Sequence, residues 1–120
     1  MRFTLKAKTH SLRGKIKLPG SKSISNRALI INALAARSFE IQNLSEADDT
    51  MMLKKALERN DLITDVGPAG TAMRFLTAYY AITPGVHVLT GSERMKQRPI
   101  SILVEALRKL GARITYLEKD

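Results

Sequence analysis

The chain has 120 residues, enough for one ordinary domain or for a piece of a larger protein. It contains no cysteine, which excludes disulfides and thiolate metal sites, and 44% of its residues are hydrophobic, which allows a packed core. Lys and Arg number 20 against 11 Asp and Glu, so the net charge is +9. This excess predicts an anionic partner, such as a nucleic acid, a membrane surface or phosphorylated metabolites.

The N-terminus carries no long apolar run, and no stretch approaches the ~20 apolar residues of a membrane span. We therefore expect a cytoplasmic protein without a membrane partner. Only 5% of the residues are aromatic, and they do not alternate with basic residues as they do in proteins that bind single-stranded nucleic acid. A basic α/β module that binds nucleic acid stays open as the alternative to a site for small anions.

The first 27 residues predict a β-hairpin followed by a helix. Residues 3–8 alternate apolar and polar side chains, and residues 12–18 do so again after a Thr-His-Ser turn. Residues 18–27 (LPGSKSISNR) then predict the end of a strand, a Pro-Gly turn and a helix start with serines available as caps.

This helix start is suited to an anion. A helix N-terminus leaves backbone N–H groups unpaired and carries a partial positive charge. Lys22 adds an ammonium group there, and Ser23 and Arg27, which are four residues apart, share one helix face. The three side chains predict a cradle for a phosphate or carboxylate, and the alternative is an ordinary capped helix with solvated charges.

Helices and strands are predicted to alternate along the rest of the chain. In the first helix, apolar residues at helical spacing predict a buried stripe of Ile24, Ala28, Ile31 and Ala35. Further strands are predicted at residues 39–42, 62–66, 86–90 and 114–117. Further helices are predicted to open at the capping-box pattern of residues 45–48, at Thr71 and at Pro99. Asp48 and Asp49 fall in a first helical turn, where capping is favoured over catalysis.

Two further loops carry residues suited to anion binding. The glycine turn at residues 67–71 precedes a helix, and Gly70 lets a ligand approach the backbone closely. Residues 91–99 form a polar loop, for which the alternative is a solvated charged loop, with three basic side chains, Arg94, Lys96 and Arg98. Because such loops recur at the ends of elements, we expect them to converge on one ligand with more than one acidic group.

Three segments resemble the motifs of the 5-enolpyruvylshikimate-3-phosphate (EPSP) synthase family. They are residues 18–27, residues 69–74 (AGTAMR) and residues 89–100 (LTGSERMKQRPI). The segments occur in the order of the family, and the resemblance covers residues 12–111. A sister family that transfers enolpyruvyl to a UDP-linked sugar has a similar fold but lacks the SKSISNR sequence. The chain is therefore similar to an N-terminal fragment of an EPSP synthase.

The resemblance implies transfer of the enolpyruvyl group of phosphoenolpyruvate to the 5-hydroxyl of shikimate 3-phosphate, with release of phosphate, in the shikimate pathway to chorismate and aromatic amino acids. It implies glyphosate as an inhibitor and no metal or organic cofactor. Lys22, as a catalytic residue, would contact both substrates. Ser23 and Arg27 would bind shikimate 3-phosphate, and Gly70 and Arg98 would bind phosphoenolpyruvate.

The resemblance also implies an α/β (α+β) fold of repeated βαβαββ units in two domains. Residues 1–19 would be the hairpin and hinge that join the second domain, and residues 20–120 would be part of the first. The family's acid–base carboxylates lie on the second domain, so the remainder of a full-length enzyme is the expected partner and this chain alone is expected to be inactive. Pro68 stands where the family usually has Asn, and the stretch 49–68 is shorter than usual.

Overall fold

The computed structural model describes residues 1–59 and 61–118. Its helices and short strands follow in the order α1 (Lys22–Leu34), α2 (Asp48–Glu58), β1 (Ile63–Asp65), α3 (Gly70–Ala81), β2 (Val88–Thr90), α4 (Glu93–Lys96) and α5 (Ser101–Lys109). This mixture of helices with a small parallel sheet is the α/β class that the sequence predicts.

Strands β1 and β2, with helix α3 between them, form one βαβ unit. The strands pair in parallel, with Ile63 opposite Val88. The carboxyl ends of parallel strands meet at one edge of a sheet, so the loops that follow them lie together. The Ser92 backbone N–H donates to the Gly67 carbonyl at 3.0 Å. The backbones approach so closely that a Cβ atom at Gly91 would lie 2.7 Å from the same carbonyl oxygen.

The hydrophobic core lies between α1, α2 and α3. Its buried members are Leu29, Leu53, Ala56, Leu57, Val66, Ala69, Ala72 and Leu76. Apolar residues spaced three and four apart place one face of α2 inward, and Leu53 is fully buried. This packing fixes how the N-terminal ends of the three helices lie relative to one another.

Helix α1 buries a different face from the predicted one. The four residues expected to be buried are exposed or half-buried, namely Ile24, Ala28, Ile31 and Ala35. Ser25 and Asn26 are buried instead. Residues 28–34 are apolar on nearly every side of the helix, so periodicity does not identify the inner face. A buried hydrogen bond does so, because the Ser25 hydroxyl accepts from the Ser45 backbone N–H at 2.9 Å.

The strands predicted at residues 3–8, 12–18, 39–42 and 114–117 are not formed, and the structure describes all four segments. Residues 1–19 are exposed along their whole length, so the apolar side chains of the predicted hairpin have nothing to pack against. A two-stranded hairpin without such a surface is marginally stable at best in water. The extended segment raises the radius of gyration to 18.6 Å, whereas a compact chain of this length has about 14 Å.

Two helix starts differ from the predicted ones. The capping box at residues 45–48 is not formed, since the Ser45 hydroxyl accepts from the Ala47 backbone N–H and α2 has no side-chain cap. Helix α3 is preceded by Ala69, which places Thr71 inside the helix rather than at its cap. Among the described residues, no helix is long and apolar enough to span a membrane.

Replacing Leu53 with Ala should lower the free energy of unfolding by about 2–5 kcal/mol, because it leaves a cavity in the small core. Met51, on the same helix, is 44% exposed, so Met51→Ala is the matched control and should cost much less. Urea denaturation followed by circular dichroism measures both. Equal losses for the two variants would show that the core does not lie where the structure places it.

Candidate functional site

A pocket of about 460 Å³ opens between the N-terminal ends of α1, α2 and α3 and the segment after α4. It brings together all five residues predicted to bind substrate, namely Lys22, Ser23, Arg27, Gly70 and Arg98. The other lining residues are Asn26, Asp49, Pro68, Thr71, Arg74 and Phe75. The proximity of these side chains is a structural finding, whereas their roles with substrates stay predictions.

The start of α1 is fixed by its cap and by the segment beside it. The Ser21 hydroxyl accepts from the Ile24 backbone N–H at 3.4 Å, so the helix begins at Lys22. A Cβ atom at Gly20 would overlap the Asn43 carbonyl oxygen, so only glycine allows the two backbones to approach this closely. The Lys22 side chain is 51% exposed and points its ammonium group toward the pocket wall formed by α2.

Arg27 is oriented by two contacts that leave its charge available. Its Nη1 donates to the Ser23 carbonyl at 3.0 Å. Its guanidinium carbon lies 6.0 Å from the centre of the Phe75 ring, a distance at which the ring attracts a cation. Neither partner is a carboxylate, so neither contact brings a negative charge to the guanidinium.

Arg98 lies directly against the first turn of α3. A Cβ atom at Gly70 would overlap the Arg98 guanidinium, so the missing side chain makes room for it. Arg74 ties the same regions together, because its Nη2 donates to the Pro99 carbonyl at 3.2 Å. The βαβ unit thus brings a helix N-terminus and a distant arginine to one place.

The pocket lining is strongly positive. Four basic side chains, Lys22, Arg27, Arg74 and Arg98, face one carboxylate among the described lining residues, Asp49. The Lys22 Nζ lies 3.7 Å from the Asp49 Oδ2, which is an ion pair between partly exposed groups. Such a pair contributes little to stability, so the surplus of cations remains to attract an anion.

The three basic side chains of the loop at residues 91–99 do not all lie at the pocket. Arg98 lines the pocket, whereas Arg94 and Lys96 do not. The Lys96 ammonium lies 3.3 Å from the Glu93 carboxylate and 3.1 Å from that of Glu118. Hydrogen bonds first to Glu118 and then to Glu93 raise the pKa of Lys96 above its ordinary value. The structure therefore places one of the loop's three basic residues at the pocket and the other two outside it.

Six lining residues are not among the five predicted binding residues, namely Asn26, Asp49, Pro68, Thr71, Arg74 and Phe75. Thr71 and Phe75 are four residues apart and share one face of α3, but that is not the face of Gly70, so helical spacing from Gly70 does not identify them. Asn26 follows Lys22 by four residues and shares its face of α1. Asp49, interpreted as a capping residue, also reaches the pocket. The described residues contain no cluster of three or more His, Asp or Glu side chains that could hold a metal ion.

The sequence model of the family described as "EPSP synthase (3-phosphoshikimate 1-carboxyvinyltransferase)" matches residues 6–59 and 52–120. The chain belongs to the EPSP synthase family. The two matched ranges overlap at residues 52–59. Such an overlap fits a family member that is shorter than the family pattern in this region, where α2 runs almost directly into β1.

Several relatives named 3-phosphoshikimate 1-carboxyvinyltransferase are similar to this chain. A protein of Bacteroides fragilis (strain YCH46) is 54% identical over 120 residues, which is 100% of this chain and 29% of that protein. A protein of Nitrosomonas eutropha is 46% identical over 131 residues, covering 89% of this chain and 30% of that protein. A protein of Sulfurovum sp. is 43% identical over 135 residues, covering 91% of this chain and 32% of that protein. The chain thus spans about a third or less of these relatives.

The Asp49→Asn variant should bind inorganic phosphate about twofold to fivefold more tightly, because it removes the pocket's carboxylate and frees Lys22. Asp48 lies in the same first turn of α2 but not in the pocket, so Asp48→Asn matches the change in net charge and in helix-dipole interaction. Titration at low salt, followed by amide chemical shifts, measures both affinities. The same affinity change in the two variants would mean that Asp49 acts through the overall charge and not within the pocket.

Proposed function

We propose that this chain supplies part of the substrate site of an enzyme that transfers the enolpyruvyl group of phosphoenolpyruvate to the 5-hydroxyl of shikimate 3-phosphate and releases phosphate. Membership of the EPSP synthase family supports this proposal. The observation that carries it is the convergence of the five predicted binding residues on one positive pocket.

The charge of the pocket fits the charge of these substrates. Phosphoenolpyruvate and shikimate 3-phosphate each carry a phosphate and a carboxylate, and the described lining has four cations against one carboxylate. Two helix N-termini, those of α1 and α3, add unpaired backbone N–H groups. A concave pocket of about 460 Å³ suits small anions better than the extended backbone of a nucleic acid.

The positions of the side chains suggest a division of labour. Ser23 and Arg27 lie on α1 and are assigned to shikimate 3-phosphate. Gly70 and Arg98 belong to the βαβ unit and its following loop, and are assigned to phosphoenolpyruvate. Lys22, at the start of α1, is assigned to both substrates, and its ammonium would stabilise negative charge that develops during transfer.

The reaction also requires proton transfers, because the 5-hydroxyl must lose its proton while a carbon of phosphoenolpyruvate gains one and later loses one. Asp49 is the one carboxylate among the described lining residues, and it is paired with Lys22. We therefore propose that the remainder of the full-length enzyme supplies the acid–base groups and that the 120-residue chain binds without turnover.

The proposed function also implies a domain organisation and an inhibitor. We infer that residues 20–120 form part of one of two domains built from repeated βαβαββ units, and that residues 1–19 join the second domain as hairpin and hinge. The exposed apolar side chains of residues 1–19 support this assignment, since they need a surface to cover them. Glyphosate, which carries a phosphonate and a carboxylate, would occupy the phosphoenolpyruvate part of the pocket.

Arg27→Ala should weaken binding of shikimate 3-phosphate by about 1.5–3 kcal/mol, the usual range for a hydrogen bond to a charged group. Arg94 is an exposed arginine outside the pocket, so Arg94→Ala removes the same charge as a control. Calorimetry at low and moderate salt measures both variants. Unchanged affinity in Arg27→Ala, or an equal loss in Arg94→Ala, would contradict the assignment.

Gly70→Ala should weaken phosphoenolpyruvate binding about tenfold or more and leave shikimate 3-phosphate binding nearly unchanged. The added methyl group would displace the Arg98 guanidinium, and losing one hydrogen bond to an anion has about this effect. Gly14→Ala is the control, because a Cβ atom there meets nothing within 4 Å. Separate titrations with the two substrates measure the effect, and equal losses for both would argue against distinct subsites.

A further inference from the structure

The Asn26 side chain is buried, and its polar atoms have no hydrogen-bond partner in the part of the chain that the structure describes. It is 1% exposed, and among the described residues neither its Nδ2 nor its Oδ1 forms a hydrogen bond. Leaving a buried polar group unpaired costs its full desolvation free energy, so native proteins rarely do so without a reason. An amide in this position is therefore expected to have a partner that the protein chain itself does not provide.

The position of Asn26 identifies the kind of partner. It lies on α1 between Ser23 and Arg27 in sequence and lines the same pocket as both of them. The pocket is already rich in cations, so an anion is the group it attracts. The Asn26 amide offers two N–H donors to such an anion without adding a further positive charge.

We propose that Asn26 is a binding residue of this pocket and that its Nδ2 donates a hydrogen bond to a phosphate or carboxylate oxygen of the bound ligand. The identity of the ligand rests on the proposed function. The contact itself is inferred from the buried amide of Asn26, which forms no hydrogen bond among the described residues. Because Asn26 has no hydrogen-bond partner among the described residues, turning an N–H toward a ligand breaks no hydrogen bond that the structure describes. The contact also satisfies a group that is unpaired in the free pocket, so it favours the bound state over the free state.

The side-chain amide itself reports the contact. In the ¹⁵N-labelled chain at low salt, the Asn26 side-chain NH₂ resonances should shift on titration with phosphoenolpyruvate or shikimate 3-phosphate. Their shift should follow the same dissociation constant as the backbone amides of residues 22–27. The Asn32 side-chain amide is the internal control, because its Oδ1 already accepts from the Phe39 backbone N–H and it lies outside this pocket.

Two smaller probes distinguish the source of the oxygen. Inorganic phosphate carries the phosphate without the carboxylate, and pyruvate carries the carboxylate without the phosphate. A shift of the Asn26 NH₂ resonances with either probe supports the proposal and identifies the group that Asn26 contacts. Shifts with these probes but with neither substrate would support Asn26 as an anion ligand and overturn the proposed function.

Substitution provides the second measurement. Asn26→Ala should weaken anion binding about tenfold to a hundredfold, and Asn26→Asp should abolish it, because it replaces a donor with a negative charge. Asn32→Ala and Asn32→Asp are the matched controls on the same helix. Backbone shifts at residues 22–27 with unmoved Asn26 NH₂ resonances in the unsubstituted chain would overturn the inference while leaving the proposed function intact, whether or not the variants fold.

Discussion

The contact between the start of α1 and the segment at residues 43–45 is the constraint on which the site depends. Gly20 packs so closely on the Asn43 carbonyl that no side chain fits there. In the first turn of α1, the buried Ser25 hydroxyl accepts a hydrogen bond from the Ser45 backbone N–H. These contacts set the rotation of α1 about its axis, which turns Lys22, Ser23 and Arg27 toward the pocket and leaves apolar residues such as Ile24 in solvent. A polar contact here outweighs the hydrophobic pattern of the helix.

The second half of the site depends on the parallel pairing of β1 and β2. Because the strands run in the same direction, α3 begins at the sheet edge where β2 also ends. The Gly67 and Gly91 backbones meet at this edge, which brings the segment after α4 over the first turn of α3. Arg98 therefore reaches Gly70 across 28 positions of sequence. Two local motifs, each weak as an anion site, become one pocket through this topology.

The sequence predicted α1, α2, α3, α5, the two strands of the βαβ unit and the five residues that the pocket brings together, because capping, glycine turns and family motifs are local signals. It did not predict α4, which lies in the segment expected to be a polar loop. It failed at residues 3–18, where alternation predicts strands but no surface covers them. The prediction was also wrong for the inner face of α1. Apolar residues lie on nearly all sides of this helix, so their spacing does not identify the buried face. Phe75 and Asn26 were missed as pocket residues because their roles depend on packing between helices, which the spacing within one helix does not show.

The partners of the basic residues explain why the pocket stays positive. Arg27 and Arg74 are held by the carbonyls of Ser23 and Pro99, which orient a guanidinium without neutralising it. Lys96, outside the pocket, is instead paired with two carboxylates. A carbonyl partner does not cancel the charge of an arginine, so the two guanidinium groups repel other positive charges in the pocket. This repulsion lowers the stability of the folded chain. Binding of an anion offsets that cost, so the same arrangement that destabilises the empty pocket favours the binding of an anion.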